Sequence, residues 1–483
     1  MKKYIILLIS TLCFLFILLL TPPAHMNPAT WRMIGITFYV VTLWVTEALP
    51  LPITSLLPIL LMPLLGIMLP AKATTSYGAP MIYLLLGGFL FAAALKKWHL
   101  HKRFAYTLLK WFGNSPRGMV LAFMLVCGFL SMWISNGAVA LMITPIGVAF
   151  IGTILNADPE KPEETSHPAN DPQRFRFSKS ILYTIAVGST IGGMATIIGT
   201  PPNALMAGML SSLFKVDITF FDWLKIGLPI VLMLLFISWL IITRLFFNTG
   251  TLKLPEAGEI CKKELAQMGR MTLPEKRTLL LFASTAFLWM ICGTLNAPLN
   301  RYVSDTSIAI FGGVLLFIIP SGLSKNEKLL DWDSAKELPW GVLLLVGGGI
   351  SLAHGFETSG LNQYVRSELV GIDIKSPFLF IALCTFLAVV ITQFAPNMAV
   401  ATLMIPIMGV ASGIIGLPPQ VAIMPVVLGA SLSFTMPVGT PPNAIVYGQG
   451  ILKQSDMIRA GSIISLISWI VVMGVCYLLT FPK

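Results

Sequence analysis

The chain has 483 residues, 56% of them hydrophobic and only 11% charged, against about 25% charged in a typical soluble globular protein. Its longest polar stretches are Asn156–Lys179 and Asn248–Lys276, which leaves no room for a water-soluble catalytic or nucleic-acid-binding domain. The formal charge of +11 therefore reads as the Lys/Arg excess that membrane proteins keep on their cytoplasmic side, and nucleic acid is not expected as a partner.

Apolar runs of about 20 residues recur along the chain and predict a polytopic α-helical membrane protein. The opening MKKYIILLISTLCFLFILLL has the lysines and apolar run of a signal peptide. The run is long, however, and TPPAHM after it offers no small-x-small cleavage site, so a retained first span is favoured. Predicted spans follow at Tyr4–Leu20, Trp31–Leu49, Ile53–Leu69 and Pro80–Leu95. Lys96–Arg117, with six Lys/Arg and no acid, reads as an amphipathic helix at the cytoplasmic surface. Gly118–Phe150 is 33 residues without a charge. A straight helix of that length would measure about 50 Å against a hydrocarbon core of about 30 Å. It is also too short to cross twice, so a re-entrant hairpin is predicted, with SMWISNGAV at its middle. Spans are then expected at Ser178–Leu213, Ile226–Phe246, Arg277–Leu295, Thr306–Ser321 and Trp340–Gly355. Pro377–Pro418, with QFAPNMAV at its middle, is a second hairpin candidate whose length is ambiguous. Gln420–Gly450 and Ala460–Phe481 complete the series.

The sequence repeats itself. At an offset of 261, Gly87-Gly88 falls on Gly348-Gly349, Ser131 on Thr392, Asn136 on Asn397 and Pro145 on Pro406. The pentapeptide GTPPN occurs at Gly199–Asn203 and at Gly439–Asn443, 240 apart. The difference of 21 is about the length of the charged loop DPEKPEETSHPANDPQRFRFSK, present only in the first half. One membrane domain, 1–483, is therefore expected to contain a first repeat at 31–247 (hairpin 118–150) and a second at 277–481 (hairpin 377–418). Eleven crossings plus two re-entrant hairpins place the N-terminus in the cytoplasm and the C-terminus outside. That topology puts 24 Lys/Arg on the inner side and 8 on the outer, accounting for all 32. The halves then run in opposite senses, the pattern of inverted-repeat secondary transporters.

Hairpin tips at membrane depth leave backbone groups that hydrocarbon cannot satisfy, so they survive only when buried in protein or lining a wet cavity. The polar residues there are Ser131, Ser135 and Asn136, followed by Gly137, in the first tip. In the second they are Thr392, Gln393 and Asn397. They either satisfy local backbone or hold a ligand, and their matched positions in two repeats favour the ligand. At each GTPPN the prolines are expected to free helix carbonyls, good ligands for Na⁺. The half-helix that follows would turn N–H groups and a positive dipole end toward an anion. Asn203 and Asn443 are expected to reach from break to tip. Glu47 and His354 lie near helix ends, where capping or snorkelling outweighs a role in the site. The six cysteines form no CxxC, no HExxH occurs, and no paired carboxylate lies mid-membrane. Neither an enzyme, a disulfide framework, a metal site nor a cofactor is expected.

WVTEALPLPITSLLPILLMPLLGI, LPWGVLLLVGGGISLA, IGGMATIIGTPPNAL and ASLSFTMPVGTPPNAIV together resemble the divalent anion/sodium symporter family, the sodium–dicarboxylate and citrate carriers, from about Trp31 to the C-terminus. The resemblance implies a homodimer of scaffold and transport domains in a bacterial cytoplasmic membrane, an elevator-type movement, and Na⁺ as coupling ion for a small carboxylate. Carried across residue by residue, it implies one Na⁺ site at Ser131, Ser135, Asn136 and Gly199. A second Na⁺ site is implied at Thr392, Ala395, Asn397, Thr435 and Gly439. The implied substrate contacts are Ser135, Asn136, Gly137, Pro396, Asn397 and Met398, with Thr200, Pro201, Thr440 and Pro441 beside them. Family tips read Ser-Asn-Thr. Here they read Ser135-Asn136-Gly137 and Pro396-Asn397-Met398, so three hydroxyls are missing, each worth about 1.5–3 kcal/mol when bonded to a charged group. The expected function is Na⁺-coupled carboxylate import, with an exchanger or H⁺-coupled carrier and a non-transporting sensor as the alternatives.

Overall fold

A computed structural model describes residues 2–23, 26–112, 115–155, 172–248, 257–292, 302–324, 326–371 and 374–481. Residues 158–171 of the charged loop lie outside them. Among the described residues the structure is helical, and its one extended pairing is an isolated bridge between Pro320 and Lys328.

Helix α1 (Lys2–Leu19) pairs with α2 (Pro28–Thr46), whose N-terminus Asn27 caps. Glu47 closes α2 in the left-handed conformation, φ 47°, in keeping with a helix-end role. The predicted span Ile53–Leu69 is not one helix. It divides into α3 (Leu51–Thr54) and α4 (Leu57–Leu64), because Pro58 can start a helix but cannot continue one. Then come α5 (Pro70–Thr75), α6 (Pro80–Lys97) and the amphipathic α7 (Leu100–Phe112), shorter than the predicted surface helix because the chain turns at His99, φ 54°.

The first hairpin is two antiparallel arms, α8 (Pro116–Ser131) and α9 (Asn136–Leu155). The first broken helix is α10 (Pro172–Gly192), a 3-10 turn at Gly193–Ala195, and α11 (Pro201–Phe214). Helices α12 (Phe220–Leu240), ending in a π-turn at Ile241–Phe246, α13 (Ala257–Met268), α14 (Leu273–Cys292) and α15 (Asp305–Ile318) follow. They lead to α16 (Trp332–Lys336), α17 (Trp340–Thr358) and α18 (Leu361–Val370). The second hairpin is α19 (Pro377–Ile391) and α20 (Asn397–Ile414). The second broken helix is α21 (Pro419–Ala430) and α22 (Pro441–Tyr447), and α23 (Gln454–Thr480) ends the described chain.

Among the described residues, five helical stretches are long and apolar enough to cross a membrane: Pro70–Lys97, Phe220–Phe246, Trp340–Thr358, Asn397–Ile414 and Gln454–Thr480. The predicted spans Ser178–Leu213 and Gln420–Gly450 are both interrupted at GTPPN. The cause differs from the expected one. The prolines do not cut a helix but begin one, at the first positions of α11 and α22, where a missing N–H costs nothing. The helices before them have already stopped at Gly192 and Ala430. Pro201-Pro202 and Pro441-Pro442 also carry no N–H, so each half-helix offers an anion fewer donors than the expectation supposed.

The packing crosses between the halves. Each hairpin packs on its own broken helix, α8 and α9 on α10, α19 and α20 on α21. The second arm of each also packs on the half-helix of the other repeat, α9 on α22 and α20 on α11. The α8–α10 contact is backbone against backbone: a β-carbon on Gly192 would collide with Gly128 O. Gly192→Ala is therefore expected to lower the thermal midpoint, at about 1–3 kcal/mol of overpacking. Gly152→Ala, on α9 with no atom within 4 Å, should raise it slightly, since Gly in a helix interior costs about 0.5–1 kcal/mol. Melting of the two purified variants in detergent checks both directions.

Candidate functional site

Two oxygen clusters lie where tip meets break. In the first, Ser131 ends α8 and is fully buried. Its Oγ lies 2.6 Å from Ser189 O on α10 and 2.8 Å from Asn136 Oδ1 at the start of α9. With its amide NH₂ turned inward, Asn136 instead donates to Ser131 Oγ at 2.8 Å, Gly199 O at 3.2 Å and Ser189 O at 3.3 Å. Main chain closes in around it. A β-carbon on Gly193 would collide with Asn136 Oδ1, and one on Gly199 would sit 2.5 Å from Gly193 O and 2.8 Å from Ser131 O. The second cluster repeats the first: Thr392 Oγ1 lies 2.6 Å from Ala430 O on α21 and 2.8 Å from Asn397 Oδ1.

A hydroxyl has one hydrogen, yet each of these faces two acceptor oxygens. Two chemistries relieve that crowding. Either the neighbouring amide turns its NH₂ inward, or the oxygens share a hard cation, for which backbone carbonyls, hydroxyls and amide oxygens are suitable ligands.

The remaining predicted residues are distributed around these clusters. Gly137 abuts the opposite repeat, where a β-carbon would lie 3.0 Å from Pro441 Cβ. Thr200 and Thr440 are the N-caps of α11 and α22, ahead of Pro201 and Pro441, and Thr440 Oγ1 is buried with no hydrogen-bond partner among the described residues. Pro396 precedes α20, and Ala395 and Met398 are buried. Thr435 Oγ1 donates to Gln393 Oε1 at 2.8 Å. Ser135 is half-buried and faces a cavity instead of the first cluster.

Asn203 and Asn443 do not bridge to the tips as expected. Asn203 Nδ2 donates to Thr196 O at 2.8 Å and to Gly193 O and Met194 O at 3.4 Å. Asn443 Nδ2 donates to Met436 O at 2.9 Å and Ser433 O at 3.3 Å. Each spans its own break, because an amide three residues into the half-helix faces the carbonyls of the loop that leads into it. Thr196, Ser189 and Ala430 were not singled out in the sequence, although a Thr three residues before GTPPN is a signal for the first. Thr196 Oγ1 donates to Met132 O at 2.5 Å and accepts from Gly199 N at 3.0 Å, tying break to tip. His354 lies away from both clusters, its Nδ1 paired with Ser76 Oγ at 3.0 Å.

A cavity of about 470 Å³ reaches the first tip. Ile134, Ser135, Ala138 and Met142 line it from the hairpin side, and Lys96, Lys97, His99 and Lys102 stand at the α6–α7 turn. Lys96 pairs with Glu337 at 3.1 Å and Lys97 with Asp331 at 2.7 Å. The hydrogen bond from Lys97 holds the Asp331 carboxyl down at about 2. A low-dielectric cleft with a basic rim raises the local concentration of anions.

Hairpins and broken helices that cross between the two halves and meet at oxygen clusters are the architecture of a membrane transporter. The chain belongs to the sodium:sulfate symporter family, whose transmembrane-region model matches residues 1–480. It is 35% identical over 480 residues to the sodium-dependent dicarboxylate transporter SdcS of Staphylococcus saprophyticus, covering 99% of this chain and 91% of that one. It is 36% identical over 474 residues to SdcS of Staphylococcus aureus strain USA300, covering 98% and 90%. The structure of the YdaH transporter of Alcanivorax borkumensis is similar in fold, with a TM-score of 0.53 at 14% identity over 84% of this chain and 86% of that one.

His101, buried beside the cavity, is pushed from 6.5 down to about 4 by loss of solvation. A native pKa below the unfolded one means the stabilisation is full above about 6.5 and is lost as pH falls toward about 4. The thermal midpoint of His101→Gln should therefore fall less than that of the parent between those pH values.

Proposed function

We propose that the protein imports a small dicarboxylate-type anion across the bacterial cytoplasmic membrane, driven by Na⁺ entering with it. The observation that carries this reading is the pair of matched clusters, Ser131–Asn136–Ser189 O and Thr392–Asn397–Ala430 O, in each of which a tip hydroxyl, a tip amide and a break carbonyl converge within hydrogen-bond distance. Relatives named sodium-dependent dicarboxylate transporters along the whole chain support it.

The amide orientation supplies the coupling. When Na⁺ is shared by Ser131, Gly199 O and Asn136 Oδ1, the Asn136 NH₂ must point away from the cluster. It is then free to donate to a carboxylate held between the tips. Asn397 acts in the same way beside Thr392, with Ala395, Thr435 and Gly439 around the second ion. Without Na⁺ the same NH₂ turns inward onto carbonyls and the anion loses its donor. Ser135, Gly137, Pro396 and Met398 form the anion's surroundings from the tips, and Thr200, Pro201, Thr440 and Pro441 from the half-helices. The unpartnered Thr440 hydroxyl provides a further donor. Lys96, Lys97, His99 and Lys102 surround the inner exit. In this reading the N-terminus is cytoplasmic and the C-terminus external, the protein is a homodimer, and the crossed hairpins travel together as the moving domain of an elevator.

The test is uptake of labelled succinate, citrate, smaller monocarboxylates and sulfate into proteoliposomes, with and without an inward Na⁺ gradient. Na⁺-dependent carboxylate uptake is expected. Asn136→Ala and Asn397→Ala should each cut it about ten- to a hundredfold, the loss for one hydrogen bond to a charged group. No anion moving under any gradient would overturn transport, and full uptake by both variants would overturn the site.

A further inference from the structure

The two clusters are alike, but the ties that hold their breaks are not. The first half of the second break, from Ser431 to Thr435, is buried, and non-helical backbone inside a membrane protein must find partners within the protein. One side chain supplies most of them. Gln393 Oε1 accepts from Phe434 N and Thr435 N, both at 3.1 Å, and from Thr435 Oγ1 at 2.8 Å. Its Nε2 donates to Leu432 O and to Val389 O, both at 2.7 Å. Gln393 is 7% exposed, and both amide hydrogens are used. Its own carbonyl faces Gly439, where a β-carbon would come within 3.3 Å.

Thr392, the preceding residue, holds Ala430 O. Adjacent tip residues thus grip the break at its first carbonyl and along its middle. At the matching position of the first repeat stands Met132, which has no polar side chain. There the tie runs the other way, through the single Thr196 hydroxyl, which donates to Met132 O and accepts from Gly199 N. Gln393 makes four hydrogen bonds to the second break, where the Thr196 hydroxyl makes one from the first break to its tip.

We infer that Gln393 is a positioning residue that sets Na⁺ affinity at the second cluster, by holding Leu432–Thr435 in register with Thr392 and Asn397. The inference rests on the reading that this cluster binds Na⁺. It goes beyond that reading in assigning affinity to a side chain whose polar atoms are all spent on the break.

Purified full-length protein is tested by its melting in Na⁺ against choline at equal ionic strength, which reads cation binding without substrate. Na⁺ stabilisation of the parent protein reports on the cation reading, and the difference between parent and variant reports on Gln393, so either can fail alone. Gln393→Leu keeps the bulk and removes all five bonds. It should raise the Na⁺ concentration giving half-maximal stabilisation about tenfold or more. In proteoliposomes it should raise the half-saturating Na⁺ for uptake far more than it lowers the maximal rate at saturating Na⁺. Gln393→Glu separates positioning from packing, because a protonated carboxyl can donate to Leu432 O and an ionised one cannot. Its Na⁺ response should approach the parent's at acidic pH, where the carboxyl is protonated, and weaken as pH rises. A Gln393→Leu response within about twofold of the parent would overturn the inference, as would a Gln393→Glu response no better than Gln393→Leu at every pH. Where Gln393→Leu does not yield folded protein, the same Na⁺ melting comparison is made with Gln393→Met, which fills the space without the hydrogen bonds, and the same twofold limit applies.

Discussion

One hydroxyl-to-carbonyl contact in each repeat, Ser131 to Ser189 O and Thr392 to Ala430 O, joins a hairpin tip to a broken helix, and the centre of the molecule is arranged around it. Hydrocarbon offers no partner to an N–H or C=O left over where a helix stops. The chain stops four helices near one another, at two tips and two breaks, so that each supplies what another lacks. Asn203 and Asn443 brace the breaks from the inside, and the tip hydroxyls close them from the outside. What converges there is oxygen, from hydroxyl, amide and carbonyl groups, and that convergence is the chemical character of the site.

Much of this was legible in the sequence because duplication writes it twice. The offsets of 261 and 240 aligned Ser131 with Thr392 and one GTPPN with the other, and these are the residues that the fold brings together. The uncharged length of Gly118–Phe150 was enough to require a hairpin, and α8 and α9 form one. The details that failed share a cause. GTPPN reads as a helix breaker because proline is judged by the helix it would interrupt; here it opens the next one, and the interruption belongs to the glycines and extended residues before it. Asn203 and Asn443 looked like bridges to the tips because one-dimensional spacing carries no direction for a side chain. Gln393 and Thr196 are unpaired in the repeat, so the comparison of halves that exposed the clusters was blind to the ties that differ between them.

The anion side of the centre is more sparsely furnished than the cation side. The half-helices that point toward it begin with two residues lacking N–H, and three hydroxyls of the family's tip pattern are absent. In the proposed function, recognition of a carboxylate falls on a few groups, the two asparagine amides foremost. Placing anion recognition on the same amides that complete the cation clusters makes the two ligands dependent on each other with few moving parts. An amide has one oxygen and one NH₂ on opposite sides, so satisfying one partner orients the group for the other.

If the first cluster holds Na⁺ as proposed, the backbone approach of α8 and α10 has a consequence for which ion it accepts. Three of its walls are main chain, at Ser131, Gly193 and Gly199, and no rotamer change can widen them. To admit a larger alkali ion, the carbonyls would have to retreat, and the contact of Gly192 against Gly128 O would have to open with them. The penalty for the wrong ion is thereby charged to helix packing, several residues away from any ligand. Discrimination by ionic radius becomes a property of how tightly two helices are bolted together.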